Sequence, residues 1–448
     1  MKMPRLLPLF MAISATFALP VQAQSLVNLY ESARDFDASY QSAKSQFNAT
    51  LAKAEQAKAA ILPTANLGIS GSRSSQDATP QGGATAGTTT SSTYGATTST
   101  LSASQPLYRP FNLASYQQGL KQFDLAKAQL TAADQDLIVR VSQAYFDVLA
   151  SQDSLTFVKA QKTAVAEQLA SAKRNFEVGT STITDTREAQ ARYDLVIAQE
   201  IAAENDLRVK KIALDQLVGK SEAQPKQLAQ PFSLPNLTPS DVAVWVQQSE
   251  AEHPSIKLSQ IALEVALLET KKAEAGHKPT LDVSASYSAI NNIDGTSTNN
   301  AFGSRVGVST IGLSFNLPLF AGFATQNRIK ETLALEDKAR NDLEGAKRAV
   351  SQGTRTAFFG VLSGQGQVKA LEAAEASSQS ALDANKLGYQ VGVRINIDVL
   401  NSQSQLFDTK AKLAKARYDV LVGSLKLRQA NGTLKAEDLN GVNALLAK

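Results

Sequence analysis

Long stretches of the chain repeat apolar residues at alternating spacings of three and four. The clearest runs from about 112 to 176. Steps of seven from Tyr116 meet Phe123, Leu130, Leu137, Ala144, Ser151, Val158, Val165 and Ala172, and only Ser151 breaks the apolar series. A companion register, Leu113, Leu120, Val141, Val148, Leu155, Leu169 and Phe176, runs beside it, with Lys127, Asp134 and Lys162 as its exceptions. A seam of this length predicts coiled-coil packing, and at about 1.5 Å per residue the rod is about 100 Å long. A second rod, about 324 to 387, keeps the length with a weaker seam, because Glu336 and Gly364 fall at apolar positions. Both rods stop at matching turns, Val178-Gly179 and Val391-Gly392, where a glycine suits a left-handed helix stop. Thr184 or Asp185, with Glu188 three residues on, reads as the cap of the next helix. Asn396 reads as the cap after the second turn.

Elsewhere the period changes from seven to two. Leu281, Val283, Ala285, Tyr287 and Ala289 alternate with Asp282, Ser284, Ser286 and Ser288, and Ile311, Leu313, Phe315 and Leu317 alternate with small polar residues. Leu67 and Ile69, then Leu101, Ala103 and Leu107, repeat the pattern earlier. Each pair of segments flanks a loop rich in Ser, Thr and Gly, at about 71–100 and 290–304. Pro106 and Pro318 mark where strand yields to helix. Ten-residue alternation around polar loops predicts transmembrane strands.

The two halves match in order. Ala144-Tyr145-Phe146, Val148-Leu149 and Gln152 correspond to Ala357-Phe358-Phe359, Val361-Leu362 and Gln365 at an offset of 213, as do Val178-Gly179 and Val391-Gly392, Asp185 and Asp398, and Gln190 and Gln403. The chain is therefore read as a tandem duplication, with an α+β fold: long antiparallel helical hairpins continued by a transmembrane β-barrel shared between protomers, four strands per chain. Segment by segment, 1–23 is a signal peptide; 24–61 carries helices, 62–108 two strands and their loop, and 109–220 a helical hairpin. A linker at 221–241, with Trp245 beside it, forms a belt with the tail at 433–448. The second repeat places helices at 242–278, strands at 279–320 and a hairpin at 321–432. Four strands cannot close a membrane barrel, and open edges in lipid leave backbone groups unpaired. The chain must assemble into a ring, of two or three copies as far as the pattern goes.

Composition narrows the function. Lys2 and Arg5, an apolar run from Leu6 to Leu19 and Val21-Gln22-Ala23 form an export signal. Cleavage there takes the formal charge from +4 to +2, a near-neutral balance that argues against a nucleic-acid partner. With no cysteine and two histidines, His253 and His277, thiolate sites and His-built metal centres are excluded. The histidines read as loop or capping residues. Gly360, Gly364 and Gly366 lack the strand–loop–helix context of a phosphate loop. No catalytic constellation emerges, so no enzyme, cofactor or metal is expected.

At Gly276-His277-Lys278-Pro279-Thr280-Leu281-Asp282, from Leu387-Gly388-Tyr389-Gln390-Val391-Gly392-Val393-Arg394 through Asp398-Val399-Leu400 to Ala416-Arg417-Tyr418, and at Asn431-Gly432-Thr433, the chain resembles the TolC family of outer-membrane channel proteins. The likeness covers essentially the whole mature chain. It implies a homotrimer in the outer membrane of a Gram-negative bacterium, with a twelve-stranded barrel in outer-membrane lipid and a twelve-helix tunnel in the periplasm. A periplasmic adaptor and an inner-membrane transporter, ABC-type or proton-driven, would be its partners. The cargo is small molecules for efflux or polypeptides for type I secretion. The resemblance also implies that the helix tips close the tunnel and open by an iris-like movement. Tyr389 and Arg394 would latch onto Thr184 and Asp185. Asp398 and Asn401 would form the pore constriction, with asparagine replacing the family's second aspartate and so halving the ring's charge. Val178, Gly179, Val391 and Gly392 would dock the adaptor. The alternative from a different class is a secreted flagellin-like filament protein, which also combines helical hairpins, no cysteine and Ser/Thr-rich inserts.

Overall fold

The computed structural model describes residues 24–447 except 85, 230–233, 235, 295 and 297–301. The export signal at 1–23 lies outside the described residues. Each half of the chain lays down the same succession. The first is α1 (Leu26–Phe36), α2 (Ala38–Ala59), β1 (Thr64–Ala78), β2 (Thr90–Tyr108), α3 (Pro110–Glu177) and α4 (Ile183–Val218). The second is α5 (Val242–Glu252), α6 (Pro254–Glu274), β3 (Thr280–Asn292), β4 (Ser304–Asn316), α7 (Ala324–Gln390) and α8 (Asn396–Ala430), followed by a short α9 (Asp438–Asn443).

The helical segment before each strand pair is broken in two by a capping residue. Asp37 ends α1 and accepts from the Tyr40 main-chain N–H at 2.8 Å to start α2. His253 does the same between α5 and α6, its Nδ1 accepting from the Ser255 N–H at 3.1 Å with Pro254 at the first helical position. A side chain that captures an early helical N–H sets a new helix axis. The expected capping role of His253 is thereby observed.

The rods are α3, of 68 residues, and α7, of 67. α3 packs on α4 and α8, and α7 packs on α8, α5 and α6. Leu137, Val165 and Ala172 of the expected seam are completely buried. Ser151, the polar interruption, donates to Asp206 Oδ2 of α4 at 2.6 Å, so its hydroxyl is satisfied inside the hairpin. The middle of α3 is buried on more than its seam: Ile138, Tyr145, Phe146 and Leu149 join the seam residues Val141 and Val148 in the main core with α1, α8, α9 and the linker. Tyr145 donates to the Lys226 carbonyl at 2.8 Å, tying the linker to this core. Trp245 packs with Phe358, Val361 and Val420, and its indole N–H donates to the Pro239 carbonyl at 2.8 Å.

The weaker seam of α7 has a steric reason. A Cβ on Gly364 would stand 2.8 Å from Val420 Cγ2 of α8, so the glycine admits a close approach of the two helices. Glu336 is held at its apolar position by Arg340, at 3.0 Å.

The four strands form one antiparallel sheet in the order β1-β2-β3-β4. The register aligns the two repeats. Leu67 faces Leu101, which faces Tyr287; Ala65, Ala103, Ala285 and Ile311 form the next row, and Leu281 faces Phe315. The opposite face aligns Asn66, Ser102, Ser286 and Thr310, with Thr100 Oγ1 2.9 Å from Ser288 Oγ. In the rows around Ala285 and Ile311 one side of the sheet is thus apolar and the other is Ser, Thr, Asn and Gly, while Ile290, Val306 and Val308 stand on that second side further along. The apolar side is bare, with Ile311 84% exposed. Two expectations shift at the strand ends. Leu107 does not continue the apolar row, because a bulge lies between Pro106 and Tyr108 and sets Tyr108 opposite Leu281. Pro106 therefore lies inside β2, where its missing N–H interrupts the ladder. Arg109, at the head of α3, makes a two-pronged pair with Asp282 of β3 at 2.8 and 2.7 Å, joining the rods of one repeat to the strands of the other.

Candidate functional site at the helix tips

The ends of the two hairpins lie side by side. Gly179 and Gly392 both take a φ of +79°, a left-handed conformation that ends each rod in a single residue. Beside them Val178 and Val391 are 72% and 65% exposed, so each tip offers an apolar residue to the surroundings.

Past the first tip, Thr182 caps α4, in place of Thr184 or Asp185. Its Oγ1 accepts from the Asp185 N–H at 3.2 Å, while Asp185 Oδ2 accepts from the Thr182 N–H at 3.1 Å. Asp185 thus closes the capping box that Glu188 was expected to close, because the helix begins at Ile183. Ser181 also donates to Asp185 Oδ2, at 2.7 Å. Burial works to raise the pKa of Asp185, but the bonds from Ser181 and Thr182 outweigh it and hold the carboxyl below its ordinary range. Thr184 is exposed.

Past the second tip, Asn396 is the first residue of α8 and does not cap it; Ile395 holds the cap position without a side-chain bond. The Asn396 amide is engaged elsewhere. It is completely buried, it donates from Nδ2 to the main-chain oxygen of Asp185 at 3.2 Å, and its Oδ1 accepts from Gln168 Nε2 of α3. Asn396 is therefore the hub that joins the second tip to both helices of the first.

The expected latch groups are near this hub but are not joined to one another within one chain. Tyr389 accepts from Asn175 Nδ2 at 3.2 Å. Arg394, in the turn before α8, holds its Nη1 3.6 Å from Asp398 Oδ2, and its stem folds over Gly388, where a Cβ would come within 2.7 Å of Arg394 Cγ. Thr184 and Asp185 receive neither side chain. The expected constriction residues, Asp398 and Asn401, are three apart on α8 and share a face. Asn401 Oδ1 accepts from Arg192 Nη2 of α4 at 2.7 Å.

Sequence reasoning missed Gln168, Asn175, Arg192 and the bridging role of Asn396. None stands out by type or spacing, since each acts by reaching across to another helix. Among the described residues no group of three or more metal-ligating side chains is present, and no helix is long and apolar enough to cross a membrane.

The model of the outer membrane efflux protein family matches the chain twice, over residues 29–220 and again over 245–433. The two matches coincide with the two halves of the duplication. Outer membrane protein TolC of Vibrio cholerae is 33% identical over 446 residues, spanning 99% of this chain and 98% of that protein. Alkaline protease secretion protein AprF of Pseudomonas aeruginosa is 29% identical, spanning 94% of this chain and 87% of its own length. Among solved structures, the CmeC outer membrane channel of Campylobacter jejuni superimposes with a TM-score of 0.78 at 17% identity, covering 94% of this chain and 90% of that one. That likeness shows the fold of a helical tunnel joined to a barrel sheet. These relatives leave the filament alternative without support.

Proposed function

The chain belongs to the outer membrane efflux protein family, the TolC-type channels, and from that membership we propose that three copies form one exit duct through the outer membrane and across the periplasm. As a member it is an outer-membrane channel for efflux or type I secretion, and its relatives are channel proteins rather than enzymes. The observation that supports assembly into a ring is the open sheet, and the number three follows from the family. β1 and β4 have free edges, one face is apolar and bare, and the strands are 13 to 19 residues long. Edges of this kind are stable in lipid only when paired with another copy. The rods carry the same argument below the membrane. α4 exposes Leu195, Ile201, Val209 and Ile212, and α7 exposes Leu333, Leu335, Phe359 and Leu362, on the flanks where the next copy would pack.

In this reading the rods form a tunnel whose narrow end is the ring of tips. The valine–glycine turns receive a periplasmic adaptor, and an inner-membrane transporter supplies the energy. Tyr389 and Arg394 latch onto Thr184 and Asp185 of a neighbouring copy. Arg394 is free to make that exchange because its present partner, Asp398, is an exposed ion pair of low worth. Opening is an outward swing of the tips that breaks the latch. The test is the mass of the mature protein in detergent together with its conductance in a planar bilayer. A trimer with small, stable conductance that rises in the Tyr389→Phe, Arg394→Ser double variant supports the reading. A non-conducting monomer overturns the duct, and unchanged conductance in the variant overturns the latch.

A further inference from the structure

Arg192 is a cation that the acid-ring reading does not use. Its guanidinium reaches from α4 to α8 and donates to Asn401 Oδ1 at 2.7 Å. No carboxylate pairs with it among the described residues. Asn401 stands one helical turn beyond Asp398 on the same face, about 5–6 Å between their Cβ atoms. On the other side of Asp398, Arg394 Nη1 is 3.6 Å from the carboxylate. Each Asp398 therefore has a guanidinium to either side, Arg394 from the turn before α8 and Arg192 from α4.

We propose that Arg192 is a selectivity-determining residue of the constriction, held there by Asn401, and that it removes the preference for cations that a ring of Asp398 alone would impose. The inference rests on the proposed placing of Asp398 and Asn401 at the narrow end of the duct. From the sequence, an asparagine at 401 only halves the acid charge of the ring. The geometry goes further. The asparagine is a neutral acceptor that holds a cation in position without cancelling it, as a carboxylate at the same distance would do. In a three-copy ring, three Arg192 guanidiniums then stand against three Asp398 carboxylates even when Arg394 is given over to the latch, and the acid field along the axis is cancelled. Cargo bearing carboxylate or phosphate groups would meet no acid barrier at the exit gate, and divalent cations would find no cluster of acids to occupy.

The test is ion selectivity of the full mature channel in planar bilayers under a salt gradient. The wild-type ratio of cation to anion permeability is expected at or below one, with little divalent block. Arg192→Gln should raise that ratio by about threefold or more and bring in block by divalent cations. Arg192→Lys, which keeps the charge, should stay near wild type, and Asp398→Asn should lower the ratio further. Because the chain has no cysteine, Arg192→Cys gives one unique thiol. A cationic thiosulfonate added to the inserted channel should return it toward wild type, and an anionic one should drive it further toward cation preference. That comparison is made on a single assembled channel, so it does not depend on how well the variant folds. If Asp398→Asn shifts the selectivity while Arg192→Gln and the modified thiol do not, the ring stands and the role of Arg192 is overturned. If the channel conducts and no variant at either position shifts it, the constriction reading fails, and this inference with it.

Discussion

The side-chain amide of Asn396 donates to the main-chain oxygen of Asp185 at 3.2 Å, and this neutral bond ties the second helix tip to the first within one protomer. Both partners also serve other groups: Gln168 donates to the Asn396 Oδ1, and Asp185 closes the capping box of α4. Asn396→Ala would remove both bonds and leave the part-buried Gln168 amide without this acceptor, at about 1–3 kcal/mol. Hydrogen exchange of the 178–186 segment is expected to quicken by about tenfold or more, with the centre of α3 unaffected.

Gly364 and Val420 test the packing of the second hairpin. Gly364→Ala adds a Cβ 2.8 Å from Val420 Cγ2. Overpacking costs about 1–3 kcal/mol, against a gain of about 1 kcal/mol in helix propensity. A net loss is expected in thermal or denaturant melts. In the Gly364→Ala, Val420→Ala double variant the two losses should be less than additive, since the shortened valine vacates the contested space.

Adjacent positions on β4 should respond in opposite ways. Ile311 lies on the bare apolar face and Thr310 on the polar one. Ile311→Arg is expected to cost about 2–4 kcal/mol in the bilayer and to lower the amount of trimer recovered from outer membranes. Thr310→Arg should be recovered at near wild-type levels. Equal recovery of both would contradict the assigned faces.

His253 gives the fold a dependence on acid. Its Nδ1 accepts the Ser255 N–H that starts α6, so it must be neutral to cap the helix. Burial lowers its pKa below the ordinary histidine value of 6.5. The neutral form is thus favoured by folding. The stability it provides is complete above pH 6.5 and is lost as pH falls through the depressed folded value. His253→Asn supplies a cap that does not titrate. Melts of the variant should keep their midpoint on acidification where the wild type declines, the difference growing below pH 6.5 to about 1 kcal/mol.

The duplication, the rods and the glycine turns were legible because each is a pattern within one segment. The heptads of α3 and the pairs Val178-Gly179 and Val391-Gly392 needed no knowledge of neighbours. Strand alternation was legible for the same reason; it failed at Leu107, where Pro106 forces a bulge, and at 71–78 and 90–100, where polar residues read as loop pair as the outer ends of β1 and β2. The helix caps were misread by a residue or two. Ser, Thr, Asp and Asn crowd both tips, and the first helical residue decides which of them acts. Asn396 shows why the site itself was harder to see. Its type and position fit a cap, and only the adjacent first hairpin diverts its amide to Asp185 and Gln168. Gly364 looked like a defect in the seam until Val420 was seen to require it.

The pairing of β2 with β3 also governs how the chain reaches this shape. Thr100 meets Ser288, 188 residues later, so the strands of the first repeat wait for those of the second. Contacts between such distant residues form late, because closing the intervening chain costs entropy before any pairing repays it. While export is under way the first hairpin can order itself, but the main core waits for α8 and α9, and β2 keeps an unpaired edge and a bare apolar face. A half-exported chain is therefore at its most aggregation-prone just before β3 arrives, since the sheet closes only with the second repeat.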